Sequence, residues 1–427
     1  MVDGIKYGGD LSAKAKKELD LRVQAAQAAS NILSKKLSEA VKFDSETAWD
    51  IQFEMLFGED AILACHVAAA LKMKRCQRPS LQEIFALTKT ADISKPISEL
   101  VYVRSLHKGN GKHRFICSFG IQHRAAQEIC RRAMAPFFVP KRFQCIGPEG
   151  YHAAVAKTLA RLEAGFDHAC VLDIVHCFQS FDEARLVEIL PLPDAVVRNV
   201  ALGDTMAMRV GHQGLPSGIS RSYALQQARQ GIPQGSCHSP HIQAFTVSKL
   251  TWSKECVLMQ NYADDFALLA MSGAMLTDAR EELGERVRKL PGGHFELATK
   301  SEGTLQSGFR FLGHDFIEKD GKIQALMPPS AWHKIVSKLN KLDDEFADLL
   351  SKKHDPLGAK KILIKQLAVV RGYEQSYKSC SNLARYLEPL FITIEDNAKL
   401  VGVNLKELEI MAKPLIDRYH VYTNSLS

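Results

Sequence analysis

No Cys-x-x-Cys pair occurs among the ten cysteines, which stand at 65, 76, 117, 130, 145, 170, 177, 237, 256 and 380. That scatter excludes a zinc ribbon and a disulfide framework, and it fits reduced thiols in a cytoplasmic protein. No Walker phosphate loop is present, which excludes P-loop chemistry. Long apolar runs are missing too. The longest, near Ala61 to Leu71, is interrupted by His66 and is too short to cross a bilayer. The N-terminus is polar, without a secretory apolar core, so a soluble protein with no membrane partner is expected. Charge is only mildly unbalanced: the net value of +7 and pI of about 8.8 give a slight bias towards a polyanionic partner. With 46% hydrophobic and 24% charged residues the composition is globular. A chain of 427 residues exceeds one compact core, so about two or three domains are expected.

The chemistry concentrates in Asn261 to Ala270, Asn-Tyr-Ala-Asp-Asp-Phe-Ala-Leu-Leu-Ala. Val257 to Met259 before it and Phe266 to Ala270 after it read as strands, so Asp264 and Asp265 occupy a hairpin tip. Adjacent like charges at a tight tip are unfavourable unless a cation neutralises them, and hard divalent ions do so with oxygen ligands. Asp-Asp pairs are also common in solvated turns. A second acidic position lies upstream. Ala169 to Ile174 is a compact apolar strand containing Asp173, and an aspartate at the end of a buried strand is uncommon without a partner. Together the three carboxylates are what two-metal phosphoryl transfer needs.

Elsewhere, residues 10 to 40 read as a charged helix with a sparse apolar face (Leu19, Val23, Ala26, Ile32, Leu33), expected to be mostly solvated. Residues 44 to 90 read as two or three helices with Phe53, Met55, Leu56 and Phe57 as core. Val101 to Val103 and Phe115 to Cys117 read as strands around a basic turn, Lys108-Gly-Asn-Gly-Lys-His-Arg114. It is either a solvated turn or a loop that closes over a triphosphate. Phe181-Asp182 opens a helix. Gly231-Ile-Pro-Gln-Gly-Ser236 is a turn into a helix near Ser239-Pro240; the neighbouring Cys237 and His238 read as structural. Thr277 to Leu290 reads as a helix, and Phe295 to Lys300 and Phe309 to Phe316 as two strands. A long helix follows Pro328-Pro329, with Ser330 as its cap and Ile335, Leu339, Leu342, Phe346 and Leu349 stepping by four, three, four, three. Further helices fill about 357 to 378 and 381 to 420.

In this order the pieces resemble the reverse transcriptase family. Leu172-Asp173-Ile174…Phe178…Phe181-Asp182 looks like its first palm motif, Gly231 to Ser236 like its second, and Tyr262-Ala-Asp-Asp265 like its signature hairpin. Lys300 is similar to the lysine of the next motif, Phe311-Leu-Gly-His314 to the primer-gripping strand pair, Lys112 and Arg114 to the fingers loop, and Val370-Arg-Gly-Tyr373 to a thumb sequence of bacterial members. The resemblance covers roughly residues 95 to 380. Cys237-His238 departs from the family's usual Pro-Leu.

The resemblance implies an α+β right-hand polymerase with a palm built on an antiparallel sheet. It gives a helical N-terminal extension over 1–90, fingers over 91–168, a palm over 169–316 with part of the fingers inserted at about 183–230, and a helical thumb and C-terminal extension over 317–427. The implied activity is RNA-directed DNA polymerisation by nucleotidyl transfer with two Mg²⁺ ions, Mn²⁺ being a substitute. Asp173, Asp264 and Asp265 would be catalytic metal ligands, joined by the Ile174 carbonyl. Lys112, Arg114, Phe178, Gln234 and Lys300 would bind the nucleotide, with the aromatic Phe178 selecting deoxyribonucleotides. Tyr262, Phe311, Leu312 and Gly313 would contact primer and template. The partners implied are a structured RNA, dNTPs and the DNA product, with self-association left open. The expected setting is a stand-alone bacterial enzyme of retron, abortive-infection or other anti-phage defence type, since no RNase H or endonuclease module is recognised. Two alternatives stay open: an untemplated or protein-primed polymerase, with Tyr419 or Tyr422 as a priming hydroxyl, and an RNA-binding splicing or scaffold protein with an idle polymerase fold.

Overall fold

The computed structural model describes residues 4–109, 112–147, 150–212 and 214–424, with side chains described except at 108, 109, 112 and 417–424. The helix α1 (Ala13–Phe43) starts at Ser12, whose hydroxyl oxygen accepts from the Ala15 amide at 3.2 Å. Asp44 ends it and caps α2 (Ser45–Phe57), accepting from the Glu46 and Thr47 amides. Next come α3 (Glu59–Lys72) and α4 (Leu81–Thr90), the latter opened by a reciprocal Ser80–Glu83 capping box. The order continues β1 (Val101–Gly109), β2 (Lys112–Ser118), α5 (Ile121–Met134), α6 (Gly150–Glu163), β3 (His168–Ile174), α7 (Glu183–Ile189), α8 (Asp194–Val196), β4 (Met208–Val210), α9 (Arg221–Arg229) and α10 (Ser239–Val247). It closes with β5 (Val257–Tyr262), β6 (Asp265–Ala270), α11 (Gly273–Arg288), β7 (Leu297–Thr304), β8 (Phe309–Phe311), β9 (His314–Lys319), β10 (Lys322–Leu326), α12 (Pro329–Ser351), α13 (Pro356–Ser376), α14 (Leu383–Leu400) and α15 (Leu405–Asn424). The class is α+β. No helix among the described residues is long and apolar enough to cross a membrane.

The chain forms two compact units. One comprises Met1–Lys141, Val175–Thr251 and Arg286–Glu296. Its centre is α3, whose residues 61–67 are all buried. A helix apolar all round must be covered on several sides. For that reason α1 is not the solvated appendage its composition predicts. It packs on α2 and α3 through buried Val23, Ala26, Ser30 and Leu37, while Ile32 stays exposed. On α2, Ala48, Gln52, Met55 and Leu56 face inward. Phe53, expected in the core, is 61% exposed because it shares the outer face with Trp49, four residues before it. Strands β2, β1 and β4 form a three-stranded sheet, with β1 antiparallel to β2 and parallel to β4.

The other unit comprises Arg142–Ile174, Trp252–Glu285 and Leu297–Ser427. Its main sheet has the order β5-β6-β3-β7, antiparallel throughout. The interior strands β3 and β6 are almost continuously buried, and Ala154, Val155 and Leu162 of α6 belong to the same core. The expected strand over Phe295–Lys300 is shifted and longer, at Leu297–Thr304. The stretch Phe309–Phe316 is not one strand but the hairpin β8–β9, because Leu312 and Gly313 both take positive φ (48° and 71°) and reverse the chain. Strand β10 completes this meander and was not expected. In the helical bundle that follows, Ile335, Leu339 and Phe346 are buried and Leu342 and Leu349 pack beside them, as their spacing predicts. Ser330 does not cap α12. Pro328 holds that position, and Pro329 pre-sets the first helical φ.

A buried ion cluster ties α5 into the first unit. The Glu128 carboxylate, 5% exposed, lies 2.7 Å from Arg131, 3.0 Å from Arg132 and 3.4 Å from Lys72. Arg132 also donates to the Ser30 hydroxyl of α1 at 3.1 Å. Burial pushes the Glu128 carboxyl upward, but Arg131 and the other cations outweigh it and hold it at about 2, below its ordinary 4.5. The pairing therefore stabilises the fold fully above pH 4.5 and is lost as pH falls through about 2. Glu128→Gln is expected to cost about 2–4 kcal/mol in urea unfolding at pH 7, because it strands partly buried arginines. The gap to the unsubstituted protein should narrow below pH 4.5.

Candidate active site

Strands β5 and β6 pair up to Tyr262 opposite Asp265, so Ala263 and Asp264 alone form the loop. Ala263 has φ 51°, the positive value that the first residue of a type II′ hairpin takes and that glycine ordinarily supplies. A Cβ there costs roughly 1 kcal/mol. Asn261 offsets it. This buried side chain donates from Nδ2 to the carbonyls of Ala263 (2.7 Å) and Asp265 (3.1 Å), bracing the turn from inside. The Asp264 carbonyl accepts from the Ile174 amide at 3.0 Å, which ties the turn to the end of β3.

Asp173 stands directly opposite Asp265 across β3 and β6. Directly opposed residues share a sheet face, and like charges there repel. Lys300 answers that repulsion, with Nζ 2.6 Å from Asp265 Oδ1 and 2.9 Å from Asp173 Oδ1. A β-bulge delivers it: Thr299 pairs with Leu172 and Ser301 with Val171, leaving Lys300 as the extra residue. Burial raises the Asp265 carboxyl above its ordinary value; Lys300 counteracts this, and Asp264 and Asp173 add to it. Burial would lower the Lys300 ammonium, but its hydrogen bond to Asp265 and its ion pair with Asp173 outweigh that and raise it.

These residues fit a hard divalent cation. The donors are all oxygens, Asp173 Oδ1 is buried and meets the ammonium as an ion pair without hydrogen-bond geometry, and a positive group already bridges two carboxylates. Among the described residues no group of three or more acidic, histidine or cysteine side chains is placed to hold a metal ion. The Asp173–Asp265 pair is an open, two-carboxylate edge with Asp264 adjacent in the turn.

In the same unit, the Tyr262 ring meets Tyr151 edge-on at 5.9 Å, and burial raises its hydroxyl above the ordinary value. Tyr151 donates to the Leu312 carbonyl at 2.6 Å and lies 3.1 Å from Nδ1 of the buried His314. Phe311 is 1% exposed and packs with Phe309 and Phe316, so at Phe311–Gly313 the Phe311 ring serves the core. Nothing in the local sequence marks Asn261 or Tyr151 for these bracing roles beyond their polar character beside apolar strands.

The other unit holds a second set. Arg114 lies on β2 opposite Leu106 and is half-buried. Lys112 is the first residue of β2, and its side chain lies outside the described residues, as do those of Tyr419 and Tyr422. Phe178 sits in the short helical turn Cys177–Ser180 and its carbonyl accepts from the Ile232 amide at 2.8 Å. The Gln234 carbonyl accepts from the Cys117 amide of β2 at 2.7 Å. Gly231 (φ 63°) and Gly235 (φ 108°) make this close approach possible, since a Cβ would stand 2.3 Å from the Phe178 carbonyl and 2.5 Å from that of Cys117. The segment Gly231 to Gly235 is thus clamped between the Phe178 turn and β2. His238 is fully buried against the Ser236 hydroxyl at 2.6 Å, and burial pushes its imidazole down to about 3, a structural role.

Removing the Asn261 side chain takes one donor away from each of two carbonyls of the turn. Asn261→Ala is expected to destabilise by roughly 1–3 kcal/mol in denaturant unfolding, with faster amide exchange at Asp264 and Asp265.

No protein-family model and no curated protein matches this sequence. Among solved structures, a telomerase from Candida albicans in complex with a TWJ fragment of telomeric RNA is similar over 78% of this chain and 62% of that chain, at 12% identity and a TM-score of 0.40. An apo telomerase from Candida tropicalis, truncated from its C-terminal domain, is similar over 54% of this chain and 56% of that one, at 12% identity and a TM-score of 0.30. The chain spans less than two thirds of either.

Proposed function

We propose that this chain is an RNA-directed DNA polymerase that copies a bound structured RNA, and that its setting is cytoplasmic bacterial anti-phage defence. The observation that carries the reading is the pairing of Asp173 with Asp265 at one sheet end, beside Asp264, with a cation already between the first two. The ordered motifs from Leu172 to His314 support it. When bound, two Mg²⁺ ions held by Asp173, Asp264, Asp265 and the Ile174 carbonyl supply Lewis-acid polarisation of the primer hydroxyl and charge neutralisation at the leaving pyrophosphate.

The chain's own residues bind and orient. Lys112 and Arg114 bind the triphosphate through their positive charge. Phe178, anchored through its carbonyl by Ile232, excludes a 2′-hydroxyl by its ring, and Gln234, anchored by Cys117, contacts the nucleotide. Tyr262 and the backbone of Leu312 and Gly313 hold the primer end, the Leu312 carbonyl being fixed by Tyr151. In this reading residues 1–90 are an N-terminal extension, 91–168 fingers, 169–316 palm and 317–427 thumb and C-terminal extension.

The test is sequencing of nucleic acid bound to the purified protein, with dNTP incorporation measured alongside. Complementary DNA mapping to a bound RNA is expected from the unsubstituted protein. The Asp264→Ala/Asp265→Ala double variant should lose at least about 10²-fold in incorporation while keeping its RNA. Random or protein-linked DNA, or RNA alone in both samples, would overturn the templated reading. Phe178→Ala should raise ribonucleotide incorporation relative to deoxyribonucleotide by about tenfold or more, read by competition between labelled nucleotides.

A further inference from the structure

The Lys300 ammonium occupies a position that a divalent ion would have to share. It lies within 3 Å of one oxygen on each of two opposed aspartates, at 2.6 Å and 2.9 Å. At such range the ammonium repels an incoming divalent ion and occupies an oxygen on each carboxylate, so the two compete for the pair. The placement is built into the backbone. The bulge between Thr299 and Ser301 takes Lys300 out of the ladder on the edge strand β7 and turns it to the carboxylates of β3 and β6. The side chain is 46% exposed, against 26% and 23% for its two partners, so its route outward to solvent is wider than theirs. Arg280 and Arg310, also beside β7, are engaged elsewhere, 3.0 Å from Glu302 and 2.6 Å from Asp315.

We propose that Lys300 is a resident counter-cation of the Asp173–Asp265 pair, which a divalent metal ion must displace, so that Lys300 sets the metal affinity of the site. This rests on the metal-dependent reading above and adds a residue that acts against the metal rather than with it. In the metal-free protein Lys300 stabilises the sheet end by neutralising opposed carboxylates. On metal binding the ammonium swings out, and its positive charge is released beside the same sheet end. The metal affinity is therefore lowered by the strength of two partly exposed ion pairs, about tenfold in total.

The experiment is a titration of the metal-stripped full-length chain with Mn²⁺, following free Mn²⁺ by electron paramagnetic resonance, with melting curves in chelator and in saturating Mn²⁺. Lys300→Met should bind Mn²⁺ about tenfold more tightly than the unsubstituted protein, melt lower in chelator, and approach it at saturating Mn²⁺. Lys300→Arg keeps the charge and should bind no more tightly than the unsubstituted protein. An Mn²⁺ affinity in Lys300→Met equal to or weaker than that of the unsubstituted protein, with binding still abolished by Asp264→Ala/Asp265→Ala, would overturn the counter-cation role and leave the metal site standing. No binding above that double-alanine control in any of the three proteins would overturn both.

Discussion

Asp173 and Asp265 face each other at the end of a sheet whose interior strands are otherwise apolar, and most of the local architecture answers the repulsion between them. The burial of Val171, Leu172, Phe266 and Ala267 holds the register. A slip of one residue would turn these side chains to the wrong face. With the register held, the carboxylates cannot move apart, and the free energy of packing keeps them at close range. The bulge on β7 then has a reason. It brings one lysine across an edge strand to the place where the field of both carboxylates is strongest.

The turn shows the same economy. A two-residue loop is the shortest connection between antiparallel strands, and it puts Asp264 next to Asp265 without a flexible linker. Its alanine takes a left-handed conformation, and the buried Asn261 amide holds both flanking carbonyls. Strain at a site is tolerated where the surroundings over-determine the geometry. In the first unit the Gly231 to Gly235 segment is fixed by backbone hydrogen bonds on either side, its Ile232 amide donating to Phe178 and its Gln234 carbonyl accepting from Cys117, and two glycines are needed because no side chain fits against the facing carbonyls. The β8–β9 turn is held by Tyr151, which is distant in sequence. The last two of these segments are held by partners from elsewhere in the chain, and the first by a residue of its own hairpin.

Local patterns were legible where short-range sterics and periodicity dominate. The apolar stretches flanking Asp264 and Asp265 form β5 and β6, and Ala169 to Ile174 lies within β3. The four-three stepping of Ile335 to Leu349 faces the helical core. The readings that failed turned on what an element packs against. Phe53 is exposed although it is among the most apolar residues of α2, since the inner face is chosen by α3. Nothing within residues 10 to 40 says that an apolar helix elsewhere needs a cover. By composition Phe309–Phe316 reads as one strand, because a positive φ at a leucine has no compositional sign, whereas the resemblance at Phe311 to His314 implies the strand pair that β8 and β9 form.

An inventory is legible before any packing is known: three carboxylates beside apolar strands, a Gly-Ile-Pro-Gln-Gly segment leading into a helix, and the helix and strand periods around them. These follow from side-chain chemistry and from spacing along the chain. What only the tertiary structure decided is which of those groups meet. Asp265 rather than Asp264 faces Asp173, and Lys300 lies between them. Asn261 and Tyr151 brace turns that they do not belong to. The physical reason is that cross-strand register and bulge position are set by packing summed over whole strands. A single residue's sequence neighbours carry no record of that sum.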